Sequence, residues 1–342
     1  MTALTVLSVA FPLAPVSRDP VGGAEQILAA LDGALVERGH RSIVIARAGS
    51  RTAGSLVEIA AEPGPFDPAC RARAQARVRA AIAEVCAREP VDVVHLHGLD
   101  FAAYLPAAGL PVLATLHLPA ASYPTEALNP ARPNTWLVPV SAAQARAIAS
   151  AALLPAIDNG VEVPPARPHA RRGYVLALGR ICPEKAYDEA LDAAALAGRP
   201  MLLAGHVFAY PEHEQYFRER IAPRLDARRR WIGPVSGARK RRLLEGARCL
   251  LIPSRIEETS SLVAMEALAA GTPPIGYRIG ALPEVIEHGV SGFIVDDAAG
   301  MARAIEAAMQ IDPERCRRAA RERFGLERMI EAYLGLYRRL AQ

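Results

Sequence analysis

Residues 253–274, PSRIEETSSLVAMEALAAGTPP, decide how this chain folds and where its chemistry sits. Just ahead of them, the apolar run Cys249–Ile252 suits a short buried strand. Pro253-Ser254 stops it, and Arg255-Ile256-Glu257-Glu258 makes a charged loop. Thr259, Ser260 and Ser261 are candidate N-caps for a helix over 262–269, which Gly271 and two prolines close. A strand that passes through a loop into a helix N-terminus is where open parallel sheets take ligands. The exposed N–H groups of such a terminus suit an anion. Glu266 lies among Val263, Ala264, Met265, Ala267, Leu268 and Ala269, where a carboxylate needs a partner.

Working outward, 342 residues exceed one ordinary core and suit two α/β domains. A hydrophobic content of 51% is ample for both, while 5% aromatics argue against a stacking surface for single-stranded nucleic acid. The net charge of +4 favours anionic small ligands or an anionic surface. The five cysteines (70, 86, 182, 249 and 316) are scattered with no CxxC pair, as expected of reduced thiols in a cytoplasm. No basic segment leads into a long apolar run, and no eighteen apolar residues are contiguous, so neither a signal peptide nor a membrane span is expected.

The first half opens on a buried strand at 4–10, a proline-rich loop at 11–20 and Gly22-Gly23 at the entrance of a helix that ends at Gly39. A strand at 42–46 completes βαβ, with glycines that let backbone approach a ligand closely. The pattern is not GxGxxG, which weakens a dinucleotide reading. A helix over 69–88 carries Arg71, Arg73, Arg77, Arg79 and Arg88; it reads as a solvated face, with contact to an anionic lipid surface or acceptor as the minor reading. Strands at 91–96 and 112–116 end in His95-Leu96-His97 and Leu116-His117. Alternate strand residues share a face, so His95 and His97 are expected to point the same way. With no HExxH or Cys/His cluster these histidines suit ligand contact at a cleft better than zinc. A strand at 135–140 and a helix over 142–152 capped by Ser141 follow, then the turn Asn159-Gly160. Prolines 164, 165 and 168 with Arg171-Arg172-Gly173 mark a linker, which places the domain boundary near 168.

The second half starts a new sheet at 174–178 and runs into Gly179-Arg180-Ile181-Cys182-Pro183-Glu184-Lys185 and a helix to about 197. Arg180 supplies a planar fork for phosphate oxygens and Lys185 a point charge, a pair that suits a diphosphate at a sheet mouth. A strand at 201–204 leads to His206, a helix covers 212–225, and Trp231-Ile232-Gly233 is a short strand and turn. The helix over 237–246 carries Arg239-Lys240-Arg241-Arg242, read as a solvated face rather than a nucleic-acid patch. A strand at 293–295 and three helices end the chain.

Taken together these pieces resemble the retaining glycosyltransferases of family 4. The likeness covers nearly the whole length: Gly22-Gly23, DVVHLHG at 92–98, TLH at 115–117, Val140-Ser141, Asn159-Gly160-Val161, GRICPEK at 179–185, the block at 253–273, and ALPEVIEHGVSGFIV at 281–295. The resemblance implies the GT-B fold, two Rossmann-like α/β domains whose parallel sheets face across a cleft. It implies an acceptor-side domain at 1–168, a donor domain at 169–325, and a helix at 326–342 crossing back to the first. By position, Arg180 and Lys185 would hold the donor diphosphate, aided by Gly22 and Gly23 and by the N–H groups of Ser261, Leu262 and Val263. Glu266 would bind ribose hydroxyls, Glu258 would face the transferred sugar, and His117 would contact the sugar or leaving phosphate. His206, Trp231, Ile232 and Gly233 would line the base pocket. The family commonly carries Gly-Phe-Gly where this chain has Thr259-Ser260-Ser261, which bears on the donor sugar rather than on transfer itself.

The expected reaction is retaining transfer from a nucleoside-diphosphate sugar to a saccharide, lipid-linked or small-molecule acceptor. It would need no cofactor and no metal, since no acidic pair stands at a strand end, and the leaving diphosphate would take the acceptor proton. No nucleic-acid partner is expected, and the location is cytoplasmic, with peripheral contact at the inner membrane face as the minor reading. Three other readings compete. One is a nucleotide-sugar epimerase of the same fold, another a non-catalytic nucleotide-sugar binding protein, and the third a Rossmann dehydrogenase.

Overall fold

The computed structural model describes residues 3–17, 22–62, 67–166 and 173–342. Two six-stranded parallel sheets organise it. The first contains β1 (Thr5–Val9), β2 (Arg41–Arg47), β3 (Ser55–Ile59), β4 (Val93–Leu96), β5 (Val112–Leu116) and β6 (Thr135–Pro139) in the order 3-2-1-4-5-6. The second contains β7 (Val175–Leu178), β8 (Met201–Ala204), β9 (Arg229–Trp231), β10 (Cys249–Ile252), β11 (Pro274–Tyr277) and β12 (Phe293–Val295), in the order 12-11-10-7-8-9. Counted from its own first strand, the second sheet repeats the topology of the first. Each has one switch point where the winding reverses, between β1 and β4 and between β7 and β10. Ligands of such sheets bind at the carboxyl ends of those strands.

The inner strands are short, β-branched or leucine-rich and buried on both faces, because helices cover both sides of a parallel sheet, while the edge strands β3 and β9 are partly exposed. Val6, Leu7, Val94, Leu113 and Leu137 are fully buried in the first sheet, and Leu176, Leu203, Leu250 and Ile275 in the second. The chain divides into two compact units, residues 1–158 with 329–342, and residues 159–328. The expected boundary at 168 lies outside the described residues; the division falls ten residues earlier, between Asp158 and Asn159. The reason is pairing. Val161 donates its N–H to the carbonyl of Phe324 and accepts from the N–H of Leu326, which ties 159–163 into the second unit.

Local differences from the expected elements have identifiable causes. β3 was not legible as a strand: it is a half-exposed edge, SLVEI, with little apolar periodicity. The helix after Ser141 spans only Ala142–Arg146 instead of reaching 152. Ala152 and Leu154 instead hydrogen-bond to Leu137, extending the edge of β6. The helix over 212–225 is an α-helix only at Pro211–Tyr216 and continues as a wide π turn, Phe217–Ile221, before Pro223. Proline lacks the N–H that a regular helix would use there. Among the described residues no helix is long and apolar enough to cross a membrane.

Candidate active site

In the second unit the loops after β7 and β10 bring together the residues singled out in the sequence. Lys185, in the turn Pro183–Lys185, reaches Glu258 with Nζ 2.5 Å from Oε1. Ser254, the last residue before the charged loop, donates its hydroxyl to the same carboxylate oxygen at 2.5 Å. Glu257 is exposed whereas Glu258 is turned inward, so the structure separates two neighbours that spacing alone distinguishes weakly. The Glu258 backbone is buttressed by the loop after β11. Ala281 donates to its carbonyl at 2.7 Å, and a Cβ on Gly280, whose φ is +53°, would lie 2.4 Å from that oxygen. Only glycine fits both the conformation and the space. Arg180 presents an exposed guanidinium with no side-chain partner among the described residues, well suited to an incoming anion.

Glu266 has the partner its apolar surroundings require. Lys240 Nζ lies 2.8 Å from Glu266 Oε1, and both side chains are mostly buried. Lys240 thus departs from the solvated face expected of 239–242, while Arg239 and Arg242 remain exposed. The helix is Leu262–Ala270, and its start differs from the expected cap. Ser261 holds the N-cap position in a left-handed conformation, φ +56° and ψ +67°, and makes no capping hydrogen bond. A capping serine needs an extended backbone to turn its oxygen onto the next N–H groups. Here the hydroxyl of Ser261 is buried without a partner, and so is Oδ1 of Asn159. The amide of Asn159 donates to Ser260 Oγ at 3.0 Å, so Asn159, legible in the sequence only as a turn residue, anchors this loop. The N–H groups of Ser261, Leu262 and Val263 start the helix and have no acceptor one turn back.

The loops after β8 and β9 supply the remaining residues of this edge. His206 is exposed and packs edge-on against Phe208. Trp231, partly exposed, donates Nε1–H to the carbonyl of Gly205 at 3.0 Å, and Gly205 in turn donates to Gly233. Ile232 donates its N–H to Leu203. His206, Trp231 and Gly233 therefore stand at neighbouring strand ends, next to the Arg180 loop, whose Ile181 N–H bonds His206 O.

The first unit holds an uncharged cluster at the ends of β4 and β5. His95 and His97 do point the same way, with ring centroids 4.0 Å apart. His95 is fully buried, with Nδ1 2.7 Å from the Tyr337 hydroxyl and Nε2 2.7 Å from Thr115 Oγ1. Thr115 Oγ1 also meets the Tyr333 hydroxyl at 2.9 Å. Both ring nitrogens of His95 are engaged, which makes it a packing residue rather than the ligand-contacting one expected. His97 Nδ1 lies 3.0 Å from His117 Nε2, and its own Nε2 is buried without a partner. Burial lowers His95 to about 3 and His117 to about 4, and holds His97 well below the usual imidazole range, so all three are neutral at pH 7. Gly22 and Gly23 begin the helix Gly23–Glu37. Glu25, not singled out in the sequence, folds back over this entrance. A Cβ on Gly22 would lie 1.9 Å from Glu25 Oε2. Burial raises the Glu25 carboxyl above its ordinary value.

Comparison with known proteins identifies the family and the fold. Residues 172–310 match the family described as glycosyl transferases group 1, and residues 21–156 match Glycosyltransferase Family 4. The chain belongs to the group 1/family 4 glycosyltransferases. It is 32% identical over 201 residues to D-inositol 3-phosphate glycosyltransferase of Mycolicibacterium smegmatis, covering 54% of this chain and 46% of that protein. It is 37% identical over 89 residues to N-acetyl-alpha-D-glucosaminyl L-malate synthase of Bacillus anthracis, covering 24% and 23%. The chain thus spans about half the length, or less, of the curated relatives it matches. Among solved structures, AviGT4, a glycosyltransferase involved in avilamycin A biosynthesis, aligns with TM-score 0.74 and 25% identity over 99% of this chain and 98% of that one. Sucrose-phosphate synthase of Thermosynechococcus elongatus aligns with TM-score 0.78 and 17% identity over 98% and 99%, a likeness of fold. The fold is that of the GT-B glycosyltransferases.

Proposed function

We propose that the protein transfers a sugar from a nucleoside-diphosphate sugar to a hydroxyl acceptor with retention of anomeric configuration. The observation that carries this reading is the edge of the second sheet at its switch point. There the segments that follow β7 and β10 carry Arg180, Lys185, Glu258, Glu266 and the start of helix Leu262–Ala270, with Lys185 and Glu258 in contact. Arg180 and the helix N-terminus attract the diphosphate, and Lys185 exchanges Glu258 for a phosphate oxygen as the donor arrives. Glu266 accepts from the ribose hydroxyls. His206, Trp231, Ile232 and Gly233 meet the base. Released from Lys185, Glu258 faces the sugar as positive character grows on its anomeric carbon. His117, a neutral imidazole, is assigned the sugar hydroxyl or leaving phosphate, and Gly22 and Gly23 the close backbone approach to the donor. The anomeric C–O bond to phosphate breaks while the acceptor oxygen bonds that carbon from the same face. The acceptor proton passes to the leaving phosphate oxygen.

Two cations and a helix N-terminus already meet the developing charge, so this reading assigns no divalent metal to the chemical step and no cofactor. The nucleotide base, sugar and acceptor are open to assay with UDP, GDP and ADP sugars. Anabaena HepE, of like fold, has been crystallised with UDP and glucose, which makes a uridine donor the first to test. The expected product keeps the donor's anomeric configuration by proton NMR, and magnesium or manganese does not raise turnover. An inverted linkage, or turnover abolished by EDTA and restored by magnesium or manganese, overturns the mechanism. Release of free sugar epimer without an acceptor would favour the epimerase reading.

A further inference from the structure

Behind the Arg180–Lys185 loop lies a trio of side chains that the transfer reaction does not use. Cys182 and Glu184 belong to the loop itself, and His213 to the helix Pro211–Tyr216. A thiol sulfur, a carboxylate oxygen and an imidazole nitrogen from these residues all lie within 4.8 Å of one another. Cys182 and His213 are buried and Glu184 is half-buried, so the trio has one solvent-facing side. Nδ1 of His213 is buried without a hydrogen-bond partner. An imidazole nitrogen in that state is costly unless something occupies it. Tyr210 packs edge-on to the His213 ring, with centroids 5.1 Å apart, and helps fix its place. The Glu184 carbonyl accepts from the N–H of Arg255 at 2.9 Å, which pins the loop from its other side.

We propose that Cys182, Glu184 and His213 form a zinc site that clamps the donor-binding loop to the helix carrying His213. A thiolate, an imidazole and a carboxylate are ligand types zinc takes, and three protein ligands leave a fourth position for water. Ligand atoms about one tetrahedral zinc lie roughly 3.3–3.8 Å apart, so inward moves of about 1 Å close the trio on the ion. One thiolate and one carboxylate balance the dication, leaving a neutral site. Binding displaces the Cys182 thiol proton to solvent as the sulfur–zinc bond forms. Magnesium and calcium, which prefer oxygen ligands, are excluded by the sulfur and imidazole. The ion sits on the loop rather than on the diphosphate. Its role is to stiffen the segment between Arg180 and Lys185, and it is independent of which sugar is transferred.

The test is equilibrium dialysis of the chelator-stripped full chain against zinc chloride, with cobalt substitution as a spectroscopic check. One zinc per chain is expected, unaffected by excess magnesium, and the cobalt form should show a thiolate-to-cobalt charge-transfer band. Cys182→Ser and His213→Gln should each weaken zinc binding by more than the roughly 10–100-fold typical of losing an outer partner, and Cys182→Ser should abolish the band. Cys70→Ser, in the other unit, should change neither and controls for adventitious thiol binding. Circular dichroism of both ligand variants separates lost folding from lost ligation. The proposal is overturned if the folded wild type binds no stoichiometric zinc, if binding survives both ligand variants, or if magnesium displaces the ion. Loss of transferase activity in another assay leaves this result untouched.

Discussion

The two units carry the same sheet topology yet arm the ends of their strands in opposite ways. At β4 and β5 the polar groups are neutral, buried and locked to one another: His95 to Thr115 and Tyr337, and His97 to His117. After β7 and β10 they are charged, mostly buried and paired: Lys185 with Glu258 between two loops, and Lys240 with Glu266 between two helices. A neutral locked cluster is preorganised and changes little when a ligand arrives. In mostly buried charged pairs the attraction is largely offset by the cost of drying both ions, so an incoming charge can take the place of one partner. The second unit therefore offers charged groups that an ionic ligand could pair with, and the first a neutral cluster fixed by its own hydrogen bonds.

The largest test of this contrast is kinetic. Glu258→Gln and His117→Ala should each lower kcat by about 10²–10⁴, the usual range for a positioned group acting in the transition state. In Glu258→Gln the affinity for the nucleoside diphosphate should stay at the wild-type level or rise, because Lys185 is then freed. Single-turnover rates and calorimetry separate the two effects. Normal kcat in both variants would remove these residues from the chemistry.

Next come the cations. Arg180→Ala should cost about 1.5–3 kcal/mol in diphosphate affinity, one to two decades. Lys185→Ala should cost less, since the wild type must first break the Glu258 pair. Glu266→Gln should act mainly on the donor KM. Equal nucleotide affinity in the wild type and in both cation variants would move the diphosphate elsewhere.

A smaller effect belongs to the first unit and to pH. His95 and His117 have folded values depressed from 6.5 to about 3 and about 4, so the unfolded chain takes up their protons first. Their contribution to stability is complete above pH 6.5 and is lost as pH falls from 6.5 toward those values. Each such proton is worth about 1.4 kcal/mol per pH unit across that window. Denaturant titrations at pH 7 and 5 should show the loss, and His95→Asn should flatten the slope. A slope unchanged by His95→Asn would mean that this imidazole titrates normally.

The smallest expected change is at Ser261. A non-glycine residue in the left-handed region costs about 1–2 kcal/mol, so Ser261→Gly should raise stability by up to about that amount. A lower melting temperature would show that the buried hydroxyl compensates for the strain.

Much of the second unit's site was legible because its signals are local. A strand, a charged loop and a helix start follow one another within 249–270, and Glu266 stood out by its apolar neighbours. Its partner was not legible, because Lys240 is 26 residues away inside a run of four cations that look alike in sequence. The left-handed Ser261 was hidden too, since serine at that place reads first as a cap. In the first unit, sequence placed three histidines at strand ends but could not tell a packed imidazole from an available one. Tyr337, which engages His95, lies 242 residues further along the chain. Long-range hydroxyl partners leave no periodicity to read.

The cysteines offer a different kind of handle. None of the five is in a disulfide, four are buried, and Cys86 alone among them is partly accessible. Cys70 and Cys86 lie in the first unit, and Cys182, Cys249 and Cys316 in the second. A thiol reagent added in brief pulses therefore meets almost nothing reactive in the folded chain, and each cysteine is labelled when its own surroundings open. Mass spectrometry of the labelled peptides turns that into two clocks, one per unit. The relative rates at Cys70 and Cys249 would tell which half of the chain unravels first.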